Sequence, residues 1–110
     1  QTRILNDIRQ AIAANPTNEE HYFNKSLIFA GLQRTDSQEV ALNRCLEING
    51  QHPEAAYYKG LLLYGREEYD KAIGYYSIAL SIKPNYAFAY NDRASAKKIG
   101  SPIVDGESIL

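Results

Sequence analysis

The stretch PEAAYYKGLLLYGREEYDKAIGYYSIALSIKPNY, residues 53–86, decides how the rest of the chain is read. It holds two amphipathic segments joined by a short polar turn and closed by Pro84. Ala56, Gly60 and Leu63 recur at helical spacing in the first half, and Ala72, Tyr76, Ala79 and Leu80 in the second. Two helices alone cannot bury both stripes. The unit therefore needs neighbours built the same way, and the chain supplies them.

A shift of 34 residues brings like residues together along the whole sequence, which is the mark of a repeat. Pro16, Gly50 and Pro84 form a column of helix breakers. Ala11, Cys45 and Ala79 form a small column, as do Ser26, Gly60 and Ala94. Large apolar residues align at Ile8, Leu42, Tyr76 and Leu110, and again at Ile12, Leu46 and Leu80. Lys25, Lys59 and Arg93 are all basic. Helices are expected over 1–14, 19–31, from about 36 to 49, 53–65, 69–82 and 86–98, with a seventh opening at Ser101-Pro102. Asp36 and Glu39 have the spacing of a capping box at the third helix. No strand signal interrupts this order.

Composition narrows the function. Twelve basic residues face thirteen acidic ones, and a net charge of −1 offers no basic stripe for a nucleic acid. No apolar run approaches the length of a membrane span. The single cysteine, Cys45, can form no intrachain disulfide, which is compatible with a reducing compartment such as the cytoplasm. Nine of the twelve aromatic residues are tyrosines, suited to half-buried positions with a wet hydroxyl.

The pattern resembles the tetratricopeptide (TPR) repeat family. Gly60, Tyr69, Ala72-Ile73, Tyr76, Ala79-Leu80, Ile82 and Pro84 carry the resemblance, and the pairs Tyr22/Ser26 and Tyr90/Ala94 repeat its opening. Gln38 in the Ala72 column, Gly50 in the proline column and Ala56 in the aromatic column depart from it. The resemblance implies an all-α, right-handed solenoid of helical hairpins with about seven helices in one domain, 1–110. It divides into a half-repeat (1–18), two repeats (19–52 and 53–86) and a truncated one (87–110). Repeats need caps at their ends, and none is legible here, so the chain reads as a piece of a longer superhelix or one covered by another copy.

In this family the first helix of each repeat lines the concave face. The inward stripe would then run through Glu20, Phe23, Leu27 and Ala30, then Glu54, Tyr57, Leu61 and Tyr64, then Phe88, Asn91, Ser95 and Lys98. Of these, Phe23, Leu27, Tyr57, Leu61, Tyr64, Phe88, Asn91, Ser95 and Lys98 are the expected partner-binding residues. Tyr and Phe give contact area at low entropic cost, and Asn91, Ser95 and Lys98 can hold a backbone or a carboxylate. Some TPR co-chaperones grip a C-terminal carboxylate with Lys and Asn. Here Phe23, Leu27, Tyr58 and Phe88 fill those slots, so the target is expected to be apolar or mixed.

Other candidates read as structural. The ladder Lys25, Lys59 and Arg93 is expected to snorkel and pair with acids such as Glu47 or Asp70. Cys45 sits in a small-residue column, and His21 and His52 are not spaced to activate it or to bind zinc, so it is expected to be buried and inert. Adjacent acids such as Glu19-Glu20 and Glu67-Glu68 are not opposed across a cleft. No phosphate-cradling glycine loop is present. The expectation is a non-enzymatic scaffold, without cofactor or metal, that binds a protein or peptide. The alternative is a structural or self-association module whose groove is filled by its own chain or another copy, or a regulatory appendage of a larger protein.

Overall fold

The computed structural model describes residues 2–14 and 17–100. Six α-helices account for nearly all of them: α1 (Thr2–Ala14), α2 (Glu19–Gly31), α3 (Thr35–Ile48), α4 (Pro53–Gly65), α5 (Tyr69–Ile82) and α6 (Ala87–Gly100). There is no strand among the described residues. The seventh expected helix lies outside them.

Sequence chemistry sets the boundaries. Asn18 caps α2, its side chain accepting from the Glu20 N–H, and His52 caps α4 by accepting from the Ala55 N–H. Both occupy one column of the 34-residue register. Pro53 opens α4, where its missing N–H costs nothing. α2 and α4 end identically. Gln33 donates to Ala30 and Arg34 to Phe29; Glu67 donates to Tyr64 and Glu68 to Leu63. These are Schellman closures. Their left-handed residues are Gln33 (φ 58°) and Glu67 (φ 64°) rather than glycine. The capping box expected at Asp36 and Glu39 does not form: α3 already starts at Thr35, Arg34 precedes it without a side-chain cap, and Glu39 turns towards α4.

Helices pack in chain order, α2 on α3, α4 on α5 and α5 on α6, with narrower seams between α3 and α4 and between α1 and α2. The result is a rod of 58 × 26 × 19 Å. The main core joins Ala56 and Leu63 of α4, Ala72, Tyr76, Ala79 and Leu80 of α5, and Ala89 and Ala96 of α6. A smaller one, Leu42, Cys45 and Ala55, closes the α3–α4 seam. At Gly60, α5 leaves no room for a side chain on α4. A Cβ there would lie 2.6 Å from Cε1 of Tyr76, which is fully buried. One repeat earlier the same two positions hold Ser26 and Leu42. A larger residue faces a smaller one, and both are fully buried.

Candidate partner-binding face

The first-type helices α2, α4 and α6 are tied together by rings. Phe23 of α2 stands 5.8 Å from Tyr58 of α4, and Tyr58 stands 5.5 Å from Tyr57. Tyr57 in turn meets Tyr86 at 5.1 Å and Phe88 of α6 at 6.4 Å. His52 extends the ladder at its other end, 4.7 Å from Phe23. Tyr57 and Tyr58 meet edge-on and the other pairs are tilted, none stacked face to face, and centroid separations of this size are those at which aromatic quadrupoles attract.

Carboxylates fasten this ladder. Glu20 Oε2 lies 2.6 Å from His52 Nε2, whose other ring nitrogen accepts the Ala55 N–H. Those two bonds place the imidazole proton on Nε2. The Tyr57 hydroxyl donates to Asp92 Oδ2 at 2.6 Å, joining α4 to α6. Burial first, and the Asp92 carboxylate second, raise the Tyr57 phenol well above its ordinary range. Tyr86 is pushed up to about 12, by burial and then by Glu54.

The residues singled out from sequence fall into three groups. Phe23, Tyr57 and Phe88 meet in the ladder. Tyr57 is only 9% exposed and its hydroxyl is taken by Asp92, so it supports the face rather than presenting itself to solvent. Leu61 and Tyr64 pack on the main core, and Tyr64 turns its ring edge-on to Tyr69 at 5.4 Å. Leu27 (37% exposed) and Phe88 (69%) are open, as are Asn91, Ser95 and Lys98. Inward spacing alone missed Tyr58, Tyr86, His52 and Asp92. His52 was findable, because Asn18, His52 and Tyr86 share one column just ahead of the first-type helices.

The basic column resolves into separate partnerships. Lys59 is buried, and its ammonium donates to Glu39 Oε2 at 2.8 Å and Asn43 Oδ1 at 2.7 Å. Its partner is therefore on α3 and is neither Glu47 nor Asp70. Lys25 lies over the Phe29 ring, while Arg93 lies over Tyr90 and donates to Ser77. Arg66 donates to the other Glu39 oxygen at 2.8 Å. These two hydrogen bonds, Arg66 first, hold the Glu39 carboxyl down at about 2. Cys45 is fully buried, and burial pushes its thiol up to about 12, which leaves it a poor nucleophile. No cluster of three or more His, Cys, Asp or Glu suited to a metal occurs among the described residues. No helix there is long and apolar enough to cross a membrane. Two cavities of about 350 and 380 Å³ lie away from the ladder, one between α2 and α3, the other among α3, α4 and α5.

Residues 53–86 match the family model described as tetratricopeptide repeat. Among solved structures the chain is similar to the MamA protein, with 25% identity and a TM-score of 0.79 over 88% of this chain and 53% of that one. A second MamA structure gives 26% identity and a TM-score of 0.78 over 86% of this chain and 55% of that one. The chain thus spans about half the length of the MamA chains. The first TPR of Spaghetti (RPAP3), solved bound to the HSP90 peptide SRMEEVD, aligns with a TM-score of 0.79 over 86% of this chain and 75% of that one. At 18% identity that likeness is one of fold.

Proposed function

We propose that this chain, a tetratricopeptide-repeat protein, is a protein-interaction module that receives a peptide or a segment of a partner along the inner faces of α2, α4 and α6. In this reading the half-repeat 1–18, the repeats 19–52 and 53–86 and the shortened 87–110 form one domain. The observation that carries it is the aromatic ladder linking the three first-type helices, flanked by Leu27 and Phe88 left open to solvent. A rigid apolar wall with exposed anchors at its margins is what binding a peptide at low ordering cost requires. No catalytic role is assigned to any residue of this face. Leu61, Tyr64, Asn91, Ser95 and Lys98 line or flank the groove in this proposal, with Phe23 and Tyr57 as its backing.

The RPAP3 peptide, SRMEEVD, has three acids among its last four residues. This chain has Phe23, Leu27, Tyr58 and Phe88 where a carboxylate-gripping clamp would need Lys and Asn, which favours an apolar or mixed target. The test is affinity capture with this protein as bait, comparing wild type with Leu27→Ser and Phe88→Ser. Both positions are exposed, so both variants should fold. Loss of the captured partner in both supports the reading, and unchanged capture in both sinks it. Self-association is the second reading, favoured by Tyr90 (59% exposed) and Ile99 (48%) on α6 and Ile4 (50%) on α1. Light scattering decides it: a mass that does not rise with concentration removes it.

A further inference from the structure

We infer that the segment held on this face is basic, a peptide that carries Arg or Lys side chains together with apolar ones. The inference rests on the groove reading above and adds the chemistry of its occupant. Two carboxylates near the ladder are fixed against ladder groups, Glu20 on His52 and Asp92 on Tyr57, and a third, Glu54, pairs with Lys83 at its margin. Each carboxylate has two oxygens and about four acceptor positions, and these contacts use only part of that capacity. Glu20 is 56% exposed and Glu54 39%. Ring faces next to such carboxylates attract cations doubly, through the quadrupole and through charge.

The molecule already uses the arrangement once. Lys83 lies 4.7 Å from the centroid of Tyr86 and 3.6 Å from Glu54 Oε2, at the margin of the ladder. It is 46% exposed, so an incoming guanidinium can compete for the same place. The one cation among the stripe residues, Lys98, is six residues beyond Asp92 on α6, about 9 Å along the axis. The ladder end of the face therefore carries an excess of negative charge, and an acidic peptide would meet it unfavourably.

The probes are three labelled peptides of equal length, built from Leu alternating with Arg, with Glu or with Ser, followed by fluorescence anisotropy. Expected is saturable binding of the Arg–Leu peptide, weakened at least about tenfold between about 50 and 500 mM salt, and little binding of the Glu–Leu peptide. The triple variant Glu20→Gln, Glu54→Gln, Asp92→Asn keeps the hydrogen-bonding shapes and should cost about tenfold or more in affinity. Lys83→Ala should improve affinity about threefold by removing the internal competitor. Glu–Leu or Ser–Leu binding as tight as Arg–Leu overturns the basic occupant while leaving the groove reading standing. If no peptide binds and Leu27→Ser and Phe88→Ser leave partner capture intact, both readings fall. Circular dichroism establishes that each variant is folded, and the salt dependence of the wild type tests the idea without any variant.

Discussion

At Gly60 a methyl group has no room. The Cβ of an alanine would lie 2.6 Å from a ring that cannot swing away, because Tyr76 is enclosed on all sides. Alanine should still gain about 1 kcal/mol of helix propensity. Overpacking against a rigid ring outweighs that, so Gly60→Ala is expected to destabilise by about 1–2 kcal/mol net in urea titration. Adding Tyr76→Leu should recover part of the loss, since Ser26 and Leu42 fill the same two places in the preceding repeat. The Tyr76 hydroxyl is buried with no hydrogen-bond partner among the described residues. Tyr76→Phe should therefore leave stability unchanged or raise it by up to about 1 kcal/mol; a clear loss would show that the hydroxyl is satisfied. Glu67 bears a left-handed backbone that glycine adopts freely. Glu67→Gly is expected to stabilise by about 0.5–1 kcal/mol, read as a rise in the urea midpoint. Sequence marked Gly60, Tyr76 and the small-residue columns well, because packing repeats with the register. It could not reveal the left-handed residues. Glycines stand at 31 and 65, two places before the residues that take that conformation, and only the hydrogen-bond closure shows the offset.

Helix positions were legible for the same reason: apolar spacing and breakers recur every 34 residues, and α2, α4 and α5 fall where that spacing puts them. The start of α3 was not. Asp36 and Glu39 have capping-box spacing, but Glu39 gains more from two cations than from capping a backbone N–H. Lys59 and Arg66 each reach one of its oxygens at 2.8 Å. This clamp carries a pH dependence. Its folded pKa, about 2, lies below the ordinary 4.5. The stabilisation is therefore complete above the unfolded value and disappears as pH falls from there towards 2. Comparing wild type with Glu39→Gln, the stability difference at neutral pH should be about 1–2 kcal/mol after allowance for solvent screening. It should shrink between about pH 5 and pH 2. A difference that stays constant across that range would remove the clamp from the account. The aromatic ladder was half visible. Phe23, Tyr57 and Phe88 have inward spacing, while the roles of Tyr58, Asp92 and His52 depend on which neighbour each side chain meets across a seam.

On the scale of the molecule, a rod of stacked helices has no central core, and stability is a sum over adjacent contacts. α4 and α5 share the largest apolar cluster and are flanked on both sides, whereas α1 touches little beyond α2. Hydrogen exchange should accordingly be slowest in α4 and α5 and fastest in α1; uniform protection throughout would indicate a single cooperative unit instead. The seams are also unequal in kind. Side-chain contact between α5 and α6 belongs mainly to the apolar cluster, but that between α3 and α4 combines the smaller cluster of Leu42, Cys45 and Ala55 with the Lys59–Glu39–Arg66 clamp. Dispersion is forfeited within an ångström of separation, while attraction between charges declines gently with distance. Under load, then, the rod is expected to bend first at its two narrower seams, α1–α2 and α3–α4, and of these the α3–α4 seam is the one whose stiffness dissolved salt should lower.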